Sequence, residues 1–212
     1  MGKKMKVSAV IVNHRKAKKN NISLNLSLIL SILPILCGFI SGALLYAFMK
    51  ESLYRGVFDV FISFFTDFSN KSSLEILSGL IISELPYIFI MLIFSFSAIS
   101  YPFVLMLTYI KSIAPTLLFA HLYSEYALKG AEYVFLILLP GEIINLFGII
   151  LLTQGCFAFS RHIEGVLKSL KGEYVQEMKG YLLKFSVSVA IILFGNLITL
   201  FTISLFNGLF SF

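Results

Sequence analysis

The stretch ISLNLSLILSILPILCGFISGALLYAF, residues 22–48, runs for 27 residues without a formal charge. A helix needs about 20 residues to cross a hydrocarbon layer ~30 Å thick, so this run is long enough. A secretory signal core holds only about 7–15 apolar residues, and the run is therefore read as a retained span. Four further apolar runs follow, at residues 85–110, 112–128, 133–159 and 182–206. Hydrophobic residues make up 58% of the 212-residue chain and charged residues 13%, with a mean hydropathy of +0.91. Soluble domains carry about 25% charged residues, so this chain has too little polar surface to wrap a water-facing particle. The expected fold class is all-α: a polytopic membrane helical bundle of about five transmembrane helices, with one or two interfacial amphipathic helices.

Lysine and arginine placement sets the expected orientation, because cytoplasmic connections carry the excess of both. Residues 1–21 hold Lys3, Lys4, Lys6, Arg15, Lys16, Lys18 and Lys19. With that segment inside, Lys111 falls at the turn between the second and third spans. Arg161, Lys168, Lys171, Lys179 and Lys184 then lie around a cytoplasmic linker, residues 160–181. The other side receives Lys50, Arg55, Lys71 and Lys129 together with seven acids, among them Glu75 and Glu84. The expected topology is N-in, C-out, with a large extracytoplasmic loop at residues 49–84, spans two to four in residues 85–159, and a last span within residues 182–212.

Two connections look amphipathic. In residues 57–68, Val57, Phe58, Phe61, Phe64, Phe65 and Phe68 recur at helical spacing, with Asp59, Ser63, Thr66 and Asp67 opposite. Lipid-surface helices usually present Lys or Arg on the polar face, so this acidic one is expected to contact protein. In the inner linker, Ile163, Val166, Leu167 and Leu170 lie beside Lys168 and Lys171, which suits a helix on an anionic leaflet.

Within the spans, Gly38 and Gly42 stand four apart, the spacing that lets two helix backbones approach. They serve packing within the chain or contact with a partner. Ser112, Thr116 and Ala120, beside Pro115, repeat the small-residue spacing and indicate tight intramolecular packing. Glu142 is the one charge deep inside an expected span, next to Pro140 and Gly141. A carboxylate there must be protonated, paired or facing a wet cavity. Pro140 removes a backbone donor and frees the carbonyl of Leu136, inviting a kink. If the third and fourth spans form a hairpin turning near Lys129 and Gly130, His121 comes within about one helical turn of Glu142 and is a candidate partner. Asn145 and Gln154 on the same span are candidates for interhelical hydrogen bonds. Glu142, His121, Asn145 and Pro140 are thus a candidate intramembrane polar site, read either as a proton-linked or solute-binding site or as a satisfied structural pair.

Catalytic patterns are not evident. His14, His121 and His162 show no zinc spacing, and the sequence has neither a Gly-x-Ser-x-Gly elbow nor a Gly-rich phosphate loop. Cys37 and Cys156 sit singly in apolar runs, where a thiol is inert packing. The basic N-terminus has few aromatics and reads as a topology signal rather than a nucleic-acid patch. No cofactor, metal or nucleic acid is expected, and the chain is expected not to be an enzyme.

From Tyr101-Pro102-Phe103-Val104 through Lys111-Ser112 to Leu139-Pro140-Gly141, the sequence resembles the stage II sporulation protein M family. Members of that family have a basic N-terminus, a first span with spaced glycines, a large outer loop and a Pro-containing second span. A small-residue third span follows, then a fourth with a Leu-Pro break, a basic linker and a final span. Here Leu139-Pro140 matches the start of the family's Pro-His-Gly-x-x-Glu break. Gly141 and Glu142 occupy its His and Gly positions and Asn145 its Glu position, so no role of that His or Glu is carried over. The resemblance implies a non-enzymatic scaffold in a prokaryotic cytoplasmic membrane. Such a scaffold positions other membrane proteins, as spore-forming members do with anchored peptidoglycan hydrolases in wall remodelling. Gly38, Gly42 and the face carrying Phe61, Phe65 and Phe68 would be its contacts. The alternative, from Glu142 and His121, is the membrane subunit of a transporter or exporter with a proton- or solute-linked site. A wet cavity at Glu142 would favour transport, and a dry bundle would favour scaffolding.

Overall fold

Backbone polar groups in apolar runs have no water to bind, so each run satisfies them internally as helix. A computed structural model describes residues 27–48, 72–97, 100–169 and 174–206, and side chains are described outside 165–177. The described residues form α1 (Ser27–Phe48), α2 (Ser73–Ser95), α3 (Tyr101–Tyr133), a π-helical turn (Val134–Leu138), α4 (Leu139–Ser169) and α5 (Tyr174–Phe206). No strand occurs among them, and the chain is an all-α, multi-pass membrane bundle. The basic N-terminal segment and the amphipathic helix expected at residues 57–68, with Phe61, Phe65 and Phe68, lie outside the described residues. So do the Val166, Leu167 and Leu170 side chains of the inner linker.

Four continuous helical stretches are long and apolar enough to cross a membrane: Ser27–Phe48, Ser73–Ser95, Tyr101–Glu164 and Met178–Phe206. The third has 64 residues, about three times the length that one crossing needs. It doubles back at Ala127, whose backbone sits at φ 47° and ψ −122°. The two arms then run antiparallel: Tyr101 stacks on Phe157 with centroids 4.5 Å apart, and Thr108 Oγ1 lies 3.1 Å from Thr153 Oγ1. Nearest the turn, a Cβ on Gly130 would collide with the Leu122 carbonyl, so only glycine lets the arms meet there. The third stretch is therefore a helical hairpin, and its turn falls near Lys129 and Gly130, as the sequence leads us to expect.

Two boundaries differ from the sequence expectation. First, α2 begins at Ser73, well inside the expected outer loop of residues 49–84. Ser72 and Glu75 form a capping box: the Glu75 amide donates to Ser72 Oγ at 3.4 Å, and the Ser72 amide donates to Glu75 Oε2 at 2.8 Å. Second, α2 ends at Ser95 and α3 begins at Tyr101, so the connection between them falls before Lys111, and Pro102 stands in the first turn of α3. Proline suits that place because the first helical amides have no intrahelical acceptor to lose. Lys111 and Glu84, expected on opposite surfaces, both lie inside the bundle as a result.

Gly38 and Gly42 of α1 sit directly on α3. A Cβ on Gly38 would come within 2.6 Å of the Tyr109 carbonyl, and one on Gly42 within 2.9 Å of the Ile113 carbonyl. Ser112 and Thr116 fill the facing positions. Of the two uses considered for these glycines, packing within the chain is the one observed, and they are not open to a partner. The outward faces carry Leu33, Leu36, Ile40, Phe89, Phe147, Phe194 and Phe201, all exposed. Apolar surface in that quantity suits lipid and not water.

Candidate functional site

The interior is divided along its length. Toward the end where α4 closes and α5 opens, Ile35, Tyr87, Met91, Val104, Leu152, Phe157 and Ile192 form one apolar core. Toward the Ala127 end, Ile76, Leu80, Leu118, Leu122, Ile137 and Ile203 form a second. Between them, each of α2, α3, α4 and α5 contributes polar side chains to one layer. Glu84, Lys111, Glu142, Asn145, Asn196 and Thr199 line a cavity of about 310 Å³ there.

Lys111 Nζ lies 2.6 Å from Glu84 Oε1, and the side chains are 21% and 9% exposed. Glu84 is the middle residue of α2, about 16 Å from either end at 1.5 Å per residue, which puts the pair near mid-membrane. Pro115, which also lines the cavity, cannot donate an amide to the Lys111 carbonyl one turn earlier. Glu142 lines the same cavity, so a second carboxyl group stands in the layer that holds the Lys111–Glu84 pair. Asn145 Nδ2 donates to Asn196 Oδ1 at 3.1 Å, tying α4 to α5 across the layer. Glu84 Oε2, Asn145 Oδ1 and Asn196 Nδ2 are buried and find no hydrogen-bond partner among the described residues. Orphaned buried polar atoms are costly, and these three belong to residues that line one cavity.

The backbone at this level is close-packed for a reason visible in the sequence. A Cβ on Gly141 would strike Thr199 Oγ1 and come within 2.7 Å of the Gly195 carbonyl. A Cβ on Gly195 would strike Asn145 Oδ1. These two glycines bring α4 against α5 and so hold Glu142, Asn145, Asn196 and Thr199 together. Pro140 does not kink the helix into disorder: the turn before it widens to π, with the Leu139 amide donating to the Val134 carbonyl. Thr202 Oγ1 of α5 lies 2.7 Å from the Ile137 carbonyl and supplies a donor to the disturbed turn.

Of the expected site residues, Glu142 and Asn145 meet in the cavity and Pro140 stands just outside it. His121 is placed elsewhere: it does not line this cavity, and its ring meets Tyr46 of α1 edge-on, with centroids 6.1 Å apart. The charged neighbours of Glu142 are instead Lys111 and Glu84, which sequence reading had assigned to the surfaces. Both interrupt apolar helices, and the capping signature at Ser72 and Glu75 and the Ser100-x-Pro102 start of α3 could have revealed this. Asn196, the amide inside the last apolar run, was a further signal. Among the described residues, no group of three or more His, Cys, Asp or Glu is gathered closely enough to hold a metal ion.

Comparison of the chain with protein-family profiles, curated proteins and solved structures gives no match. Its functional reading rests on the geometry just described.

Proposed function

We propose that this protein is a membrane transport component that moves a small polar solute in a proton-linked way, with Glu84, Lys111 and Glu142 as its site. The observation that carries the reading is the close Lys111–Glu84 pair with a second carboxyl group, Glu142, lining the same cavity at mid-depth. Intramembrane ionisable residues are expensive, and they mark substrate or proton pathways more often than they serve as packing. Lys111 neutralises Glu84. The second carboxyl is neutralised at least cost by a proton, which makes Glu142 the group that takes up and releases one. Asn145, Asn196 and Thr199 offer neutral donors and acceptors for a solute, and the cavity volume is at the lower end of those that hold small molecules.

The scaffold reading draws on the resemblance to the stage II sporulation protein M family. Of the contacts it would use, Gly38 and Gly42 are already engaged by α3, and the face carrying Phe61, Phe65 and Phe68 lies outside the described residues. The transport reading has the more direct support. Its test is proton flux in vesicles reconstituted with the purified protein, with and without mixtures of small polar solutes under an imposed pH gradient. Wild type should dissipate the gradient faster when its solute is present, and Glu142→Gln should abolish that while eluting normally in gel filtration. Solute-independent flux, unchanged by Glu142→Gln and by Glu84→Gln, would sink the proposal.

A further inference from the structure

A second cavity, of about 620 Å³, lies between the start of α1 and the facing sides of α4 and α5. It shares no residue with the Glu84 site. Its walls include Gly155, Leu183 and Val187, its uncharged polar members are Ser27, Gln154 and Ser188, and Arg161 and Lys184 belong to the same lining. Both cationic residues are exposed. Arg161 Nε donates to the Phe157 carbonyl at 3.4 Å, which uses one of its five N–H donors and leaves the terminal nitrogens for a ligand. Among the described lining residues there is no carboxylate. From Arg161 to Leu151 along α4 is about 15 Å at 1.5 Å per residue, the depth of one leaflet of a ~30 Å hydrocarbon layer.

We propose that this groove binds one anionic phospholipid, its phosphate held by Arg161 and Lys184 and an acyl chain lying along Gly155 and Val187 toward Leu151. The charge pattern selects the occupant. Arg161 stands at the end that meets the headgroup region, Lys184 joins it from α5 nearer the level of Gly155, and most of the remaining wall is apolar. Basic pockets between transmembrane helices take anionic headgroups for this reason. Gly155 keeps the groove open: a Cβ there would meet only Tyr181 Cε2, at 3.9 Å, so the space in front of it belongs to the groove and not to a neighbouring helix.

The test is native mass spectrometry of the detergent-purified protein with added phosphatidylglycerol or phosphatidylcholine of matched chains. One phosphatidylglycerol should be retained, roughly thirtyfold more tightly than phosphatidylcholine given two cations near the surface. The double variant Arg161→Gln/Lys184→Gln should bring the two lipids to parity. Gly155→Leu, whose Cβ would lie 3.9 Å from Tyr181 Cε2, an ordinary contact, and whose longer side chain would extend into the groove, should weaken retention of phosphatidylglycerol more than it lowers the thermal unfolding midpoint. Equal retention of both lipids by wild type would overturn the proposal, as would unchanged phosphatidylglycerol binding in either variant. Displacement of the lipid by millimolar inorganic phosphate would overturn it too, since that marks a free-anion site.

Discussion

Lys111 Nζ of α3 lies 2.6 Å from Glu84 Oε1 of α2, in a layer with apolar core above and below it. Neither charge is tolerable at that depth alone. Removing one partner of a buried pair strands the other, at about 3–5 kcal/mol. Lys111→Met should therefore lower the unfolding free energy in detergent by about that amount. Glu84→Gln added to it should recover most of the loss, because both charges are then gone. A single variant no less stable than the double one would mean that the pair is solvated.

Gly38→Leu should destabilise the protein by about 1–3 kcal/mol, the usual cost of overpacking, since its Cβ alone would come within 2.6 Å of the Tyr109 carbonyl. Gly180→Ala is the control: among the described residues nothing lies within 4 Å of its Cβ position, and the change should stay within ~0.5 kcal/mol. Thermal unfolding of the two variants side by side decides the point.

At Ala127 the left-handed backbone is strained for any residue with a Cβ. Ala127→Gly should raise stability by about 1 kcal/mol, and Ala127→Val should lower it, because a β-branched side chain tolerates that region least. An order reversed in urea unfolding would place the reversal of the chain at another residue.

Thr202→Val keeps the side-chain shape and removes the hydroxyl that lies 2.7 Å from the Ile137 carbonyl. Interhelical hydrogen bonds in membranes are worth on average about 0.6 kcal/mol, at most ~1.7. A loss in that range is expected, measured as a shift in midpoint of sodium dodecyl sulfate unfolding. No loss would show that water or another donor already serves the π-turn before Pro140.

Orientation can be checked by labelling. With Cys37 and Cys156 replaced by Ser, a cysteine at Lys129 in the Ala127 hairpin should react with an impermeant maleimide added to intact cells. A cysteine at Lys179 should react only after permeabilisation. The opposite pattern would invert the assignment made from lysine and arginine placement.

What the sequence determined by itself is the solvent. A chain with 58% hydrophobic and 13% charged residues, broken into charge-poor runs of crossing length, can only be a bundle of helices in lipid. It also located the hairpin near Lys129 and Gly130 and the tight packing around Ser112 and Thr116, because small residues and a turn glycine act through local geometry. It singled out Glu142 and Asn145, which stand out against an apolar background. The Glu84–Lys111 pair was beyond it. A linear reading expels an intramembrane charge to the nearest surface, since the charge is costly there alone. Only tertiary structure brings the opposite charge from a neighbouring helix, 27 positions away in the chain, and removes that cost. The same holds for Gly141 against Thr199 and for Asn145 against Asn196. Which helices are neighbours is decided by packing, and the polar layer exists only once they meet.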